Sequence, residues 1–348
     1  METSRTKGAR PRNRHIGVIV LALLAAGCHK REKPGAATTT SASEPSEKSA
    51  LGADEKRSSA TLAEGPPPLL DPVLKVLPID GVRGPASAIH DEAGDVYLVS
   101  SVDGSPLAAD GKGFISKMAP DGKTMIVRWI EGGTNKVELN APKGMAIKGD
   151  ELYVADIDTV RIFHRRTGLP ISEVKIPGTK YLDDVVLGQD GRVYVSDTGL
   201  RAKDKGNGLE HSGVEAIYAI YRDPYVTNVN LVARDSLGGP TALFASPPNK
   251  IWTVSSRTGE IYWVDPQGHR NDVEKLPEGE LEGVVSIGNE LLVASRAASA
   301  IFRGSPKRTW RIAIGDVKSP ADIGYDRKRK RVLVPLFTED EVRIYDLR

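Results

Sequence analysis

Most side chains in this sequence that could act together chemically fall at one recurring position. A short phrase appears six times: a Pro or Leu, one or two polar or small residues, an apolar run, a turn and a second apolar run. The copies are GPASAIHDEAGDVYLVS from 84, APKGMAIKGDELYVAD from 141, YLDDVVLGQDGRVYVSD from 181, GPTALFASPPNKIWTVS from 239, ELEGVVSIGNELLVAS from 280 and SPADIGYDRKRKRVLVP from 319. Directly after the leading Pro or Leu stand Ala86, Lys143, Asp183, Thr241, Glu282 and Ala321, with Asp184 and Asp322 one place on. Asp183, Asp184 and Glu282 are acids where most copies are neutral. If these positions face one another, their carboxylates, Asp183 and Glu282 first, would hold a hard divalent cation such as Ca²⁺, which takes six to eight oxygens. The plainer use is hydrogen bonding to the neighbouring repeat's backbone, or pairing with Lys143.

Other polar groups carry less chemistry. Asp156 and Asp197 close the second apolar runs and are expected to accept hydrogen bonds from turn amides, with Arg161 pairing locally. Glu210 and His211 lie in a polar stretch, RAKDKGNGLEH from 201, from which His211 could reach a ligand. His90, His164 and His269 are scattered singly, without metal-ligand spacing. The five cations at 327–331 read as a solvated hairpin turn, the alternative being contact with anionic lipid or polysaccharide. The GKT at 122–124 lacks the leading Gly of a phosphate loop because Lys117 stands there, and GNG at 206–208 stops short of a dinucleotide fingerprint. Neither H-E-x-x-H nor G-x-S-x-G occurs.

The elements that must position these residues follow from the repeat. With Pro85, Pro142, Leu182, Pro240, Leu281 and Pro320 as anchors, the gaps are 57, 40, 58, 41 and 39 residues. A period near 40 built from four short strands is a propeller blade. Strand-like runs such as 160–164 and 171–176 follow each phrase, and no stretch carries a long helical period. The fold expected is all-β: a six-bladed β-propeller of four-stranded blades over 73–348. The last repeat has only three strands, so the run VLKVLPI at 73–79 is expected to complete its blade and close the ring. The anchor positions then ring the mouth of the central channel. The two longer gaps place extra loops, 102–113 and 198–213, after second strands, and both are expected to wall that mouth.

Ahead of the propeller the chain changes character. Residues 1–15 are basic and polar, and residues 16–26 form an apolar run. Eleven residues of helix reach roughly 16 Å, about half a bilayer core, as in a signal-peptide h-region. The chain's one cysteine, Cys28, follows Leu24-Ala25-Ala26-Gly27. This resembles a bacterial lipobox, with Ala25 where that family has Leu; the alternative is an ordinary signal peptide with an incidental cysteine. The resemblance implies cleavage after residue 27, a lipid on Cys28 and, with His29 rather than Asp next, an outer-membrane anchor facing the periplasm. Residues 28–72, rich in Ser, Thr, Ala, Glu, Lys and Pro, read as a tether with too little apolar surface to order itself. The formal charge of +2 is largely owed to the leader, which holds five of the 48 basic residues and one of the 46 acidic ones. The remainder offers a nucleic acid no basic footprint.

Leu152-Tyr-Val-Ala-Asp156 followed by Val160-Arg-Ile-Phe163 resembles an NHL repeat. Pro-x-Gly-Met-Ala at 142–146 and Pro-Asp-Gly-Lys at 120–123 resemble the gluconolactonase and luciferin-regenerating-enzyme group of six-bladed propellers. In the lactonases, the resemblance implies, a Glu opening the first blade and an Asn and an Asp after later anchors hold the metal. Here Glu282 matches the Asp in type, Thr241 stands where Asn is expected, and Arg83-Gly84-Pro85-Ala86 offers no acid. The leading expectation is therefore a lipid-anchored envelope module without a resident cofactor. It would bind a ligand, an envelope protein, a peptide or a glycan at the mouth through Lys143, Asp183, Asp184, Glu282 and His211. The rival is a divalent-metal-dependent lactonase.

Overall fold

Six sheets, each a consecutive stretch of chain, are set round an axis in a computed structural model that describes residues 82–122, 125–203, 205, 208–223 and 225–347. The expected leader, the tether, Cys28 and the closing strand at 73–79 lie outside the described residues. The first blade is β1 (Pro85–Asp91), β2 (Val96–Ser101), β3 (Phe114–Met118) and β4 (Met125–Glu131), counted outward from the axis. The second is β5 (Pro142–Lys148), β6 (Glu151–Asp156), β7 (Thr159–His164) and β8 (Pro170–Lys175). The third is β9 (Leu182–Leu187) and β10 (Val193–Asp197), then a small hairpin of β11 (Leu200–Ala202) and β12 (Leu209–His211), then β13 (Ala216–Arg222) and β14 (Thr227–Arg234). The fourth is β15 (Pro240–Ser246), β16 (Lys250–Ser255), β17 (Glu260–Val264) and β18 (Arg270–Lys275). The fifth is β19 (Leu281–Ile287), β20 (Glu290–Ser295), β21 (Ala300–Gly304) and β22 (Arg311–Ile314). The sixth has three described strands, β23 (Gly324–Asp326), β24 (Arg331–Leu336) and β25 (Glu341–Asp346). The six-bladed all-β propeller read from the repeat is the fold observed. Five innermost strands begin at the expected anchors; in the sixth, Pro320 makes only an isolated bridge to Leu336 before β23 starts.

The core is divided the way a propeller requires. Strand alternation gives each sheet two apolar faces, and each face packs on the next blade. Six apolar clusters result, one per interface: Leu98, Ile115 and Ile130 meet Leu152 and Phe163 between the first two blades, and Tyr153 and Ile162 meet Val185 and Tyr218 between the next two. The interface that closes the ring, Ala88, Tyr97, Val99 and Met118 against Leu333, Val342 and Ile344, is the smallest cluster among the described residues. Close approach near the axis demands glycine. A Cβ on Gly144 would lie 2.1 Å from the Asp184 carboxylate, and one on Gly324 would lie 2.0 Å from the Ala88 carbonyl oxygen.

One irregularity aims the candidate residues. In five innermost strands the ladder slips just after the anchor: Pro85 and Ser87 pair with Ser101 and Ser100, and Leu281 and Gly283 pair with Ser295 and Ala294. Ala86, Lys143, Asp183, Thr241 and Glu282 are all skipped by the pairing. A bulge of this kind frees one residue from the pleat and re-aims its side chain.

Candidate functional site

The skipped residues converge on a cavity of about 80 Å³ at the channel mouth. Ala86, Lys143, Asp183, Thr241, Glu282 and Ala321 line it, as the anchor positions predict. A second ring comes from residues one past the second strands: Val102, which opens the first expected loop, and Ser256, Arg296 and Phe337, which were not foreseen. Tyr181, just before β9, and Asp322 complete the polar lining.

The charges here are enclosed but sparsely partnered. Lys143 is 4% exposed. Its ammonium donates one long hydrogen bond, 3.3 Å, to the Ala141 carbonyl and lies 4.2 Å from the centre of the Tyr181 ring. Burial pulls its pKa down, and the nearby charges of Asp183, Asp156 and Asp197 oppose that pull. Asp183 accepts a hydrogen bond of 2.7 Å from the Thr198 hydroxyl; burial raises its pKa against the opposing pull of Lys143. Arg296 stands 3.4 Å from Glu282 and faces the Phe337 ring at 5.7 Å, while its Nε is buried without a hydrogen-bond partner. Burial pushes Glu282 up to about 8 despite Arg296, and Asp322 up to about 7 despite a 2.6 Å hydrogen bond from the Ser87 hydroxyl.

Two expected contacts lie elsewhere. Asp184 is 5% exposed, and its carboxylate accepts hydrogen bonds of 2.7 Å from the amides of Val185 and of Leu243 on the next blade. It lines a wider funnel of about 610 Å³ running on along the axis, to which all six innermost strands contribute, among them Ile147, Phe244 and Tyr325. His211 packs behind the mouth against Gly239, with Nδ1 buried and unpartnered; burial, then Arg257, hold its imidazole below the ordinary value. The loops also divide. The hairpin in 198–213 supplies Leu200 and Leu209 to the mouth, whereas Leu107, Ala109 and Gly111 of the first loop line a separate groove over the second blade. The expectation that both loops wall one mouth is corrected accordingly: of the first loop only Val102 lines it, while Leu107, Ala109 and Gly111 share the outer groove with Gly133 and Val137.

Local pairing takes up other polar residues. Asp156 accepts from the amides of Asn140 and Ala141 and from Arg161, and Asp197 from the amide of Gly199. The cationic hairpin is not simply solvated. Lys328 and Arg329 reach the first blade's Asp95 at 2.8 and 2.7 Å, and Arg329 also meets Asp326 at 3.0 Å.

A resident divalent cation, which the lactonase resemblance implies, does not fit this donor set. Asp183 and Glu282 do share the cavity, but Lys143 and Arg296 share it with them. Among the described residues, no three His, Cys, Asp or Glu side chains converge closely enough to hold a metal ion.

No protein-family model and no curated sequence matches the chain. Solved structures do. The fold is shared with a gluconolactonase, a lyase and a chain of a nidogen–laminin complex alike. A gluconolactonase from Xanthomonas campestris superposes with a TM-score of 0.58 at 13% identity, covering 82% of this chain and 96% of that one. An inactive variant of virginiamycin B lyase from Staphylococcus aureus, solved with quinupristin, gives 0.52 at 15% identity, covering 79% and 98%. A chain of the nidogen–laminin complex gives 0.51 at 16% identity, covering 76% and 84%. At such identities the likeness is one of architecture, and propellers host unrelated functions.

Proposed function

We infer that this chain is a binding module, anchored in a bacterial envelope by a lipid on Cys28, whose channel mouth takes the polar tip of a peptide, a glycan or a small zwitterion. One observation carries the reading. Six equivalent positions ring the mouth; three hold Ala86, Thr241 and Ala321, so the fold does not require charge there. The other three hold Lys143, Asp183 and Glu282, whose charged forms cost several kcal/mol per ion to enclose under-partnered unless something compensates them. A ligand bearing both signs of charge would supply the missing partners. The cavity's size suits a terminal ammonium, carboxylate or amino-sugar group rather than a whole oligomer.

The test is thermal unfolding of the full chain in detergent with glycine, dipeptides and glucosamine, and separately with Ca²⁺, Mg²⁺, Mn²⁺ or Zn²⁺. Saturation a hundredfold above Kd should add roughly 2.7 kcal/mol, visible as a higher Tm. The expected result is a rise with a zwitterion or amino sugar that Glu282→Gln removes. A rise with one metal ion alone, accompanied by lactone hydrolysis, would replace this reading with the metal-dependent lactonase. Labelled palmitate entering the wild type but not Cys28→Ser tests the anchor.

A further inference from the structure

The geometry points to Lys143 as an amine that captures a small aldehyde or ketone at the channel mouth as an imine. This deepens the binding reading and rests on the mouth being a ligand site.

Three features of the site support it. Lys143 lines a cavity of about 80 Å³, room for a carbonyl compound of about two or three carbons. Its one hydrogen bond is long, and the Tyr181 ring covers another side, so the ammonium has fewer partners than its three donors require. No carboxylate among the described residues forms an ion pair with it. The charged and titratable groups facing it are Asp183, Asp156 and Asp197, with Tyr181 beside it and Glu282, Arg296 and Asp322 across the cavity. Burial outweighs these acids and lowers the pKa, so a larger share of this amine carries the nucleophilic lone pair than at an exposed lysine.

The chemistry balances without another reactant. The amine lone pair attacks the carbonyl carbon, a C–N bond forms, and the C=O π pair moves to oxygen, which takes a proton. The resulting carbinolamine gives up that oxygen as water, nitrogen loses its last proton, and a C=N bond remains. A small polar aldehyde or keto compound would also place its own polar groups against Arg296.

The experiment treats the full-length protein with propionaldehyde and sodium cyanoborohydride at pH 6.5, then maps modified lysines by peptide mass spectrometry. An ordinary lysine ammonium, with pKa ~10.4, holds almost no free amine at that pH. Lys143 is expected to acquire the reduced propyl adduct at least tenfold faster than the exposed Lys112 and Lys175, and the fast adduct is expected to vanish in Lys143→Met. Modification of Lys143 no faster than those two overturns the inference, and the comparison needs no variant to fold. The zwitterion and amino-sugar panel separates the two readings. A raised Tm with Lys143 unmodified leaves the binding module standing and removes the imine. Fast modification with no Tm response keeps the imine and removes the proposed ligand class.

Discussion

Two of the propeller's charge clusters, at the channel mouth and at the seam where the last blade meets the first, treat charge oppositely. At the seam nearly every charge is taken up twice. Asp95 receives Lys328 and Arg329; burial pushes Asp326 up, but hydrogen bonds from Tyr97 at 2.7 Å and from Arg329 outweigh it and hold its carboxyl below the usual range. Hydrogen bonds from Arg329 and Lys328 hold Asp95 well below that range too. Arg83 and the Gly84 amide add Asp340 at 2.8 and 2.7 Å. At the mouth Lys143 has one carbonyl, Arg296 one distant carboxylate, and the acids are pushed upward instead. Saturated charge joins the two blades whose apolar cluster is the smallest among the described residues. Unsaturated charge marks a place kept ready for something else.

The largest effect that would sharpen this contrast is at the seam. Asp326 is fully enclosed and holds Tyr97, the Arg329 side chain and the Arg329 amide, so Asp326→Ala is expected to cost about 3–4 kcal/mol in chemical denaturation. A cost below 1 kcal/mol would show that the seam's charges are not structural.

Next comes the pH profile. Glu282 has its pKa raised on folding, from 4.5 to about 8, so the folded state keeps a proton that the unfolded chain has released. Its contribution is therefore full below pH 4.5 and is lost as pH rises towards 8. Glu282→Gln should flatten that fall. Asp326 runs the other way: its lowered pKa gives stability above the ordinary carboxylate range that drains away as pH falls through it. Urea midpoints measured from pH 3 to 9 should show acid weakness traceable to the seam and alkaline weakness traceable to the mouth; a profile unchanged in Glu282→Gln would erase the distinction.

A smaller effect of opposite sign is expected for Lys143→Met. Replacing a buried, sparsely partnered amino group by an apolar chain of similar length should raise stability by about 1 kcal/mol while abolishing ligand response at the mouth. A loss comparable with that of Asp326→Ala would mean that the mouth is structural after all. The smallest change is Lys328→Ala, whose exposed pair with Asp95 should be worth under about 1 kcal/mol and less still in high salt.

Sequence periodicity made the propeller legible because each blade repeats one phrase, and the anchors Pro85, Pro142, Leu182, Pro240 and Leu281 are the first residues of their strands. The same counting placed Lys143, Asp183 and Glu282 at the mouth. It did not place Arg296, although a signal was present. Arg296 follows the second strand of its blade as Val102, Ser256 and Phe337 follow theirs, and counting from second strands would have found that ring. Asp184 was misplaced because the bulge turns adjacent residues to different surroundings, and a period of two does not survive a slip in the ladder. The cationic run at 327–331 kept its partner hidden for a different reason: Asp95 lies more than two hundred residues away and is brought close only by closure of the ring.

The contacts that Arg83 and Gly84 make across the seam have a mechanical consequence. Val82 is buried, and Arg83 and Gly84 are clamped to Asp340 in the turn between β24 and β25. A pull applied at Val82 is thus delivered to the last blade, where the Asp340 carboxylate bears the load before any strand of the first blade is drawn from its neighbours. Under such a pull the ring would open at its latch, with the four middle blades still stacked.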